Sequence, residues 1–105
     1  MATYCVSFRL ANKTIGGKSY DERRKLIETN VWAKGQGYWD ETTSFILAGS
    51  DLDTFSFAKK ASEGLGAKDD ILLVFDPSDM SAAYFGPVDS PEILGSFFNV
   101  LKKVD

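Results

Sequence analysis

Five consecutive apolar residues, Ile71-Leu72-Leu73-Val74-Phe75, stand between Asp70 and the turn-forming stretch Asp76-Pro77-Ser78-Asp79. Successive residues of a strand point to opposite faces, so an unbroken apolar run of this kind asks for cover on both faces of the sheet that holds it. Phe45-Ile46-Leu47-Ala48 makes the same demand. Thr3 to Leu10 alternates instead, with Tyr4, Val6, Phe8 and Leu10 on one side and Cys5, Ser7 and Arg9 on the other, the period of a half-buried strand.

The remaining segments supply the cover. Asn12 to Lys18, with Gly16-Gly17, reads as a flexible loop, and Ser19-Tyr20-Asp21-Glu22 is a capping box opening a helix from about Tyr20 to Lys34. Tyr20, Ile27 and Val31, with Leu26 beside them, mark its inward stripe, and Gly35-Gln36-Gly37 stops it. Tyr38 to Gly49 reads as two strand segments meeting at a bend near Thr43-Ser44. A cap at Ser50 or Asp51 then opens a second helix carrying Leu52, Phe55, Ala58, Ala61 and Leu65. Asp76 to Asp79 turns the Ile71–Phe75 strand into a hairpin with Ser81 to Gly86. Ser90 as N-cap and Pro91 as first helical residue start a third helix, whose Leu94, Phe97, Phe98 and Leu101 share one apolar face.

The first six elements follow the order βαββαβ of a ferredoxin-like sandwich. The expected architecture is therefore one α+β domain over residues 1–105, an antiparallel sheet with two helices on one face, extended by a hairpin strand and a C-terminal helix. The other sheet face needs either that third helix or the sheet of a second subunit, and because two-fold homodimers are the commonest oligomers, a homodimer is expected.

Composition narrows the chemistry. The chain has no histidine, which removes the usual proton-transfer group near neutral pH, and one cysteine, Cys5, which excludes an internal disulfide and a Cys/His metal cluster. No catalytic residue, metal or cofactor is expected, and a reducing, cytoplasmic setting without a membrane span fits the pattern. The net charge of −3 is uneven: residues 1–37 carry seven Lys/Arg against three acids, residues 38–105 five against twelve.

Two constellations follow. Arg9, Lys13, Lys18, Arg23, Arg24 and Lys25 gather around the end of the first strand, its loop and the first helix, a candidate face for nucleic acid or another anion. A pI near 4.9 favours an ordinary solvated face for the same residues, with partners that include another protein or a small molecule. Trp39, Asp40, Glu41, Asp76 and Asp79 form a candidate polar cluster, although adjacent Asp40 and Glu41 point to opposite faces of a regular strand. Gly16-Gly17-Lys18-Ser19 matches the end of a phosphate-binding loop, but Asn12 stands where the first of its two spaced glycines belongs.

The stretch from Tyr38 to Gly49, through Thr42, Ser44, Phe45, Ile46 and Gly49, resembles the segment after the first helix in small CRISPR-associated adaptation endonucleases and in virulence-associated protein D. The order of elements over residues 3–86 is similar too, and the chain also resembles a small uncharacterised bacterial family labelled SinR-like. The resemblance implies a ferredoxin-like homodimer with nucleic-acid or toxin associations. Those nuclease-like families end their first strand on a metal-binding aspartate, whereas this chain reads Phe8-Arg9-Leu10-Ala11-Asn12 and has no acid before Asp21. Hard divalent cations need carboxylate oxygens, so metal-dependent cleavage is not expected.

Overall fold

A computed structural model covers residues 1–105. It contains strands β1 (Ala2–Arg9), β2 (Tyr38–Trp39), β3 (Phe45–Ser50), β4 (Ile71–Asp76), β5 (Ser81–Phe85) and β6 (Val100–Lys103), with helices α1 (Tyr20–Val31), α2 (Thr54–Ala61) and α3 (Pro91–Gly95). The strands form one open sheet in the order β2-β3-β1-β4-β5-β6. β1 lies between β3 and β4, antiparallel to both, with Val6 opposite Ile46 on one side and Val74 on the other.

The expectation of a purely antiparallel sheet is corrected at one edge, where β6 runs parallel to β5. The chain leaves β5 at Gly86, passes through α3 and starts β6 beside Ser81, where β5 itself starts; a strand added through such a crossover is necessarily parallel. The same route corrects the third helix. α3 holds only five residues, and Ser96, Phe97 and Phe98 close it with tighter i→i−3 bonds. Asn99 then donates from its backbone to the Met80 carbonyl and from its side chain to the Asp79 carbonyl, at 2.9 and 2.7 Å. Those bonds bring Val100 to Lys103 against the otherwise unpaired edge of β5, whose backbone groups outweigh the helical pattern of Leu94, Phe97, Phe98 and Leu101.

The capping box forms as read. Ser19 Oγ accepts from the Glu22 N–H, and the Glu22 carboxylate accepts from the Ser19 N–H. α1 ends at Val31, three residues early, because Trp32 is already extended. Ser50 and Asp51 do not cap α2. Asp53 does, accepting from the Ser56 N–H at 2.8 Å, so Leu52 precedes the helix and is exposed. Ser50 closes β3, and its hydroxyl accepts from the Leu52 N–H.

Cross-strand register sorts the side chains. Tyr4, Val6, Phe8, Ile46, Ala48, Leu72, Val74, Ala83 and Phe85 face α1 and α2, and with Ile27, Val31, Phe57, Ala58, Ala61 and Val104 they make the core. Tyr4 stacks on Phe57 at 4.4 Å and donates to the Leu52 carbonyl at 2.6 Å. The opposite face carries Trp39, Phe45, Leu47, Ile71, Leu73, Phe75, Ala82 and Tyr84. The α3 segment covers part of it, with Phe98 against Phe75 at 5.4 Å.

Gly86 has φ +94°, and a Cβ there would overlap the backbone carbonyl of Asp70. Gly86→Ala combines left-handed strain with that overlap and is expected to cost at least about 2 kcal/mol. Gly16→Ala, at φ +58° with open space around it, is expected to cost only about 1–2 kcal/mol. Urea unfolding of the two variants beside the parent checks the ranking.

Candidate functional site

The helical stripe of α1 consists of Arg23, Ile27 and Val31, and Arg23 is fully buried. Its Nε donates to Asp70 Oδ2 at 2.9 Å and its Nη2 to Asp70 Oδ1 at 3.3 Å. Nη1 donates to the carbonyls of Lys13 and Lys18, and Nη2 also to that of Ala11. All five guanidinium N–H groups thus have acceptors. Asp70, equally buried, further accepts from the backbone N–H groups of Ala11 and Gly66. A buried charge pair is tolerable when its remaining hydrogen-bonding capacity is used, as it is here.

This arrangement corrects the basic constellation, since Arg23 faces inward and offers nothing to an external anion. Lys13 pairs with Asp69 at 3.0 Å, and Arg24 pairs with Glu28 at 2.6 Å while donating to the carbonyls of Thr42 and Thr43. Arg9, Lys18 and Lys25 remain without an acidic partner. Arg9 lies on the sheet face opposite α1, apart from the helix-borne Lys25.

Gly16-Gly17 is a tight turn rather than an open loop. Both glycines have positive φ, and Ile15 and Lys18 exchange two backbone hydrogen bonds across them, which makes a tight hairpin turn held from below by Arg23.

The polar constellation is not assembled. Asp40 follows β2, three strands away from β4 and hence about 14 Å from Asp76 across the sheet. Asp76 accepts from the backbone and hydroxyl of Ser78, and Asp79 from those of Ser81, so both acids close the β4–β5 turn. The Ser81 hydroxyl, then its N–H, hold the Asp79 carboxyl below the usual carboxylate range. With the Ser81 proton committed to Asp79, the Thr54 hydroxyl donates to Ser81 at 2.6 Å and ties α2 to the hairpin. Trp39 points to the face opposite the core, Glu41 is exposed, and no three His, Cys, Asp or Glu side chains converge to hold a metal ion. Cys5 is buried, and that burial pushes its thiol up from the ordinary value.

Several surface concavities are present, among them one of about 420 Å³ along α1 at Asp21, Glu22, Arg24, Lys25 and Glu28, and two are bordered by large aromatic side chains left exposed. A groove of about 510 Å³ runs between the open sheet face and the α3 segment, lined by Arg9, Ile71 and Leu73 below and by Asp89, Ile93, Leu94 and Phe97 above. Ile93 and Phe97 are 65% and 69% exposed. A smaller groove of about 310 Å³ lies among Glu28, Thr29, Trp32, Tyr38 and Asp40. Sequence reasoning anticipated neither, because each joins segments far apart in the chain. The one local signal for the second was Tyr38-x-Asp40, whose side chains share a face. Compared with protein-family models, curated proteins and solved structures, the chain matches none.

Removing either partner of the buried pair strands the other charge, so Arg23→Met and Asp70→Leu are each expected to cost about 3–5 kcal/mol in urea unfolding. The double variant is expected to stay destabilised, because the carbonyls of Ala11, Lys13 and Lys18 lose their donors. At the β4–β5 turn the sign is fixed by Asp79. Its folded-state pKa is lowered, so its contribution is full above the ordinary carboxylate range and is lost as pH falls through the folded value. Asp79→Asn is expected to flatten the acid limb of a plot of unfolding midpoint against pH.

Proposed function

We propose that this chain is a non-enzymatic binding module that works as a two-fold homodimer, joined through the sheet face opposite α1 and α2. The observation that carries this reading is the composition of that face. Trp39, Phe45, Leu47, Ile71 and Leu73 are only partly covered, and Ile93 and Phe97 project beside them. Ser7 and Arg9 interrupt this surface, but an exposed apolar patch of this kind is what marks interaction sites.

Charge complementarity favours a second copy as the occupant. Arg9 and Asp89 both line the groove, and neither has an ion-pair partner within the chain. A two-fold axis over the groove sets Arg9 of one subunit against Asp89 of its mate, twice. The molecule is flat, 36 × 35 × 22 Å, so its broad face accommodates the roughly 800 Å² per partner of a standard interface.

The β4-β1-β3-β2 portion of the sheet, with α1 and α2 on one face, supports a ferredoxin-like reading of the fold and accords with the resemblance to the CRISPR-associated adaptation and virulence-associated protein D families. The non-enzymatic reading rests on a sequence without histidine and on acids already committed to turns. Nucleic-acid binding is the weaker alternative, because only Arg9, Lys18 and Lys25 of the basic set are unpaired and they do not share one face.

Sedimentation velocity at micromolar concentration and physiological salt is expected to give a dimer. Ile93→Glu with Phe97→Glu, both at exposed positions, is expected to give a folded monomer. Arg9→Asp or Asp89→Arg alone is expected to weaken association about tenfold, and the double swap to restore it. A monomeric parent at about 100 μM overturns the reading, and salt-sensitive binding of labelled duplex or RNA by that monomer favours the nucleic-acid alternative.

A further inference from the structure

α1 ends on an exposed aromatic. Trp32 leaves the helix in an extended conformation, and its side chain is 54% exposed. Tyr38 stands across the groove on the edge strand β2, and its hydroxyl donates to Asp40 Oδ2 at 3.0 Å. Glu28, one helical turn before Trp32, completes the wall. Two aromatic rings and two carboxylates therefore border one concavity of about 310 Å³, at the lower end of the size range of small-molecule sites.

The chain itself leaves this chemistry unused. Its one cation–π contact, Lys102 over Phe55, lies elsewhere, and neither Trp32 nor Tyr38 stacks on another ring. Asp40 Oδ1 has no hydrogen-bond or ion-pair partner. Glu28 is already paired with Arg24 at 2.6 Å through Oε2, so it borders the groove without adding an unpaired charge, and Asp40 is the unpaired carboxylate there. Burial first, and then the hydrogen bond to Asp40 and its negative charge, keep the Tyr38 hydroxyl protonated well above the ordinary tyrosine range. The ring thus stays neutral while Asp40 provides the charge.

We propose that the groove between the end of α1 and β2 binds an organic cation, an alkylated ammonium or a guanidinium, with its apolar body against Trp32 and Tyr38 and its charge toward Asp40. The face of an aromatic ring carries negative quadrupole potential, and a nearby carboxylate adds to it, so this lining selects a soft, weakly hydrated cation over a neutral molecule of the same shape. An inorganic divalent cation is a poor match, since it demands a shell of oxygens that two separated carboxylates do not provide. The groove lies on the helix-bearing side of the sheet, whereas the neighbouring Trp39 points to the opposite face. Binding here is therefore independent of the association described above.

The chain has two tryptophans, so Trp39→Phe leaves Trp32 as the sole reporter. Choline and N-acetylarginine amide, titrated at constant ionic strength, are the probes, and 3,3-dimethyl-1-butanol is the neutral counterpart of choline. At least one cation is expected to change Trp32 emission saturably in the millimolar range or below, with no saturable change from the alcohol. Asp40→Asn is expected to weaken binding five- to tenfold. Trp32→Ala, a surface change, is expected to abolish the saturation-transfer NMR signal of the bound cation while leaving the far-ultraviolet circular dichroism unchanged. An equal response to the alcohol, no saturation by either cation, or unaltered affinity in both variants overturns the assignment.

Discussion

The buried pair of Arg23 and Asp70 is the interaction on which the rest of the structure depends. A guanidinium and a carboxylate removed from water are costly, and the cost is offset because every N–H of Arg23 and both oxygens of Asp70 are engaged. The partners come from the exit of β1, the turn that follows it, and the loop entering β4. One side chain thereby ties α1 to the sheet and to the carbonyls that flank the Gly16-Gly17 turn. Gly86 completes the same corner, where the end of β5 passes so close to the Asp70 carbonyl that no side chain fits.

Away from that corner, the structure is governed by the demand of a two-sided apolar sheet for cover. α1 and α2 meet it on one face. On the other, the chain meets it only in part, because residues 99–103 are drawn away from α3 to the edge of β5. Backbone groups along a strand edge are a strong competitor for a short helix whose apolar face has little to bury against. The outcome is a closed edge at β5 and an exposed apolar face beside α3.

The pleat separates the two proposed surfaces. Tyr38 and Trp39 are adjacent in sequence but point to opposite sides of β2, so one contributes to the cation groove and the other to the open face. An edge strand of two residues suffices for this, since each side chain needs only a defined direction.

Sequence by itself determined those features that rest on local chemistry: the alternation of β1, the Ser19–Glu22 capping box, the Asp76–Asp79 turn, the break near Thr43-Ser44 and the need for cover on both sheet faces. Each depends on side chains within a few residues of one another, whose preferences survive in any context. Tertiary structure decided what depends on distant partners. Arg23 read as surface charge because nothing nearby in sequence announces Asp70, 47 residues away. The last helix gave way to β6 because the open edge of β5 exists only once β4 and β5 have paired, and Trp32 and Asp40 border one groove only in the folded chain. A hydrogen-bond donor or an apolar face selects its partner by position in space, and position is a property of the whole fold.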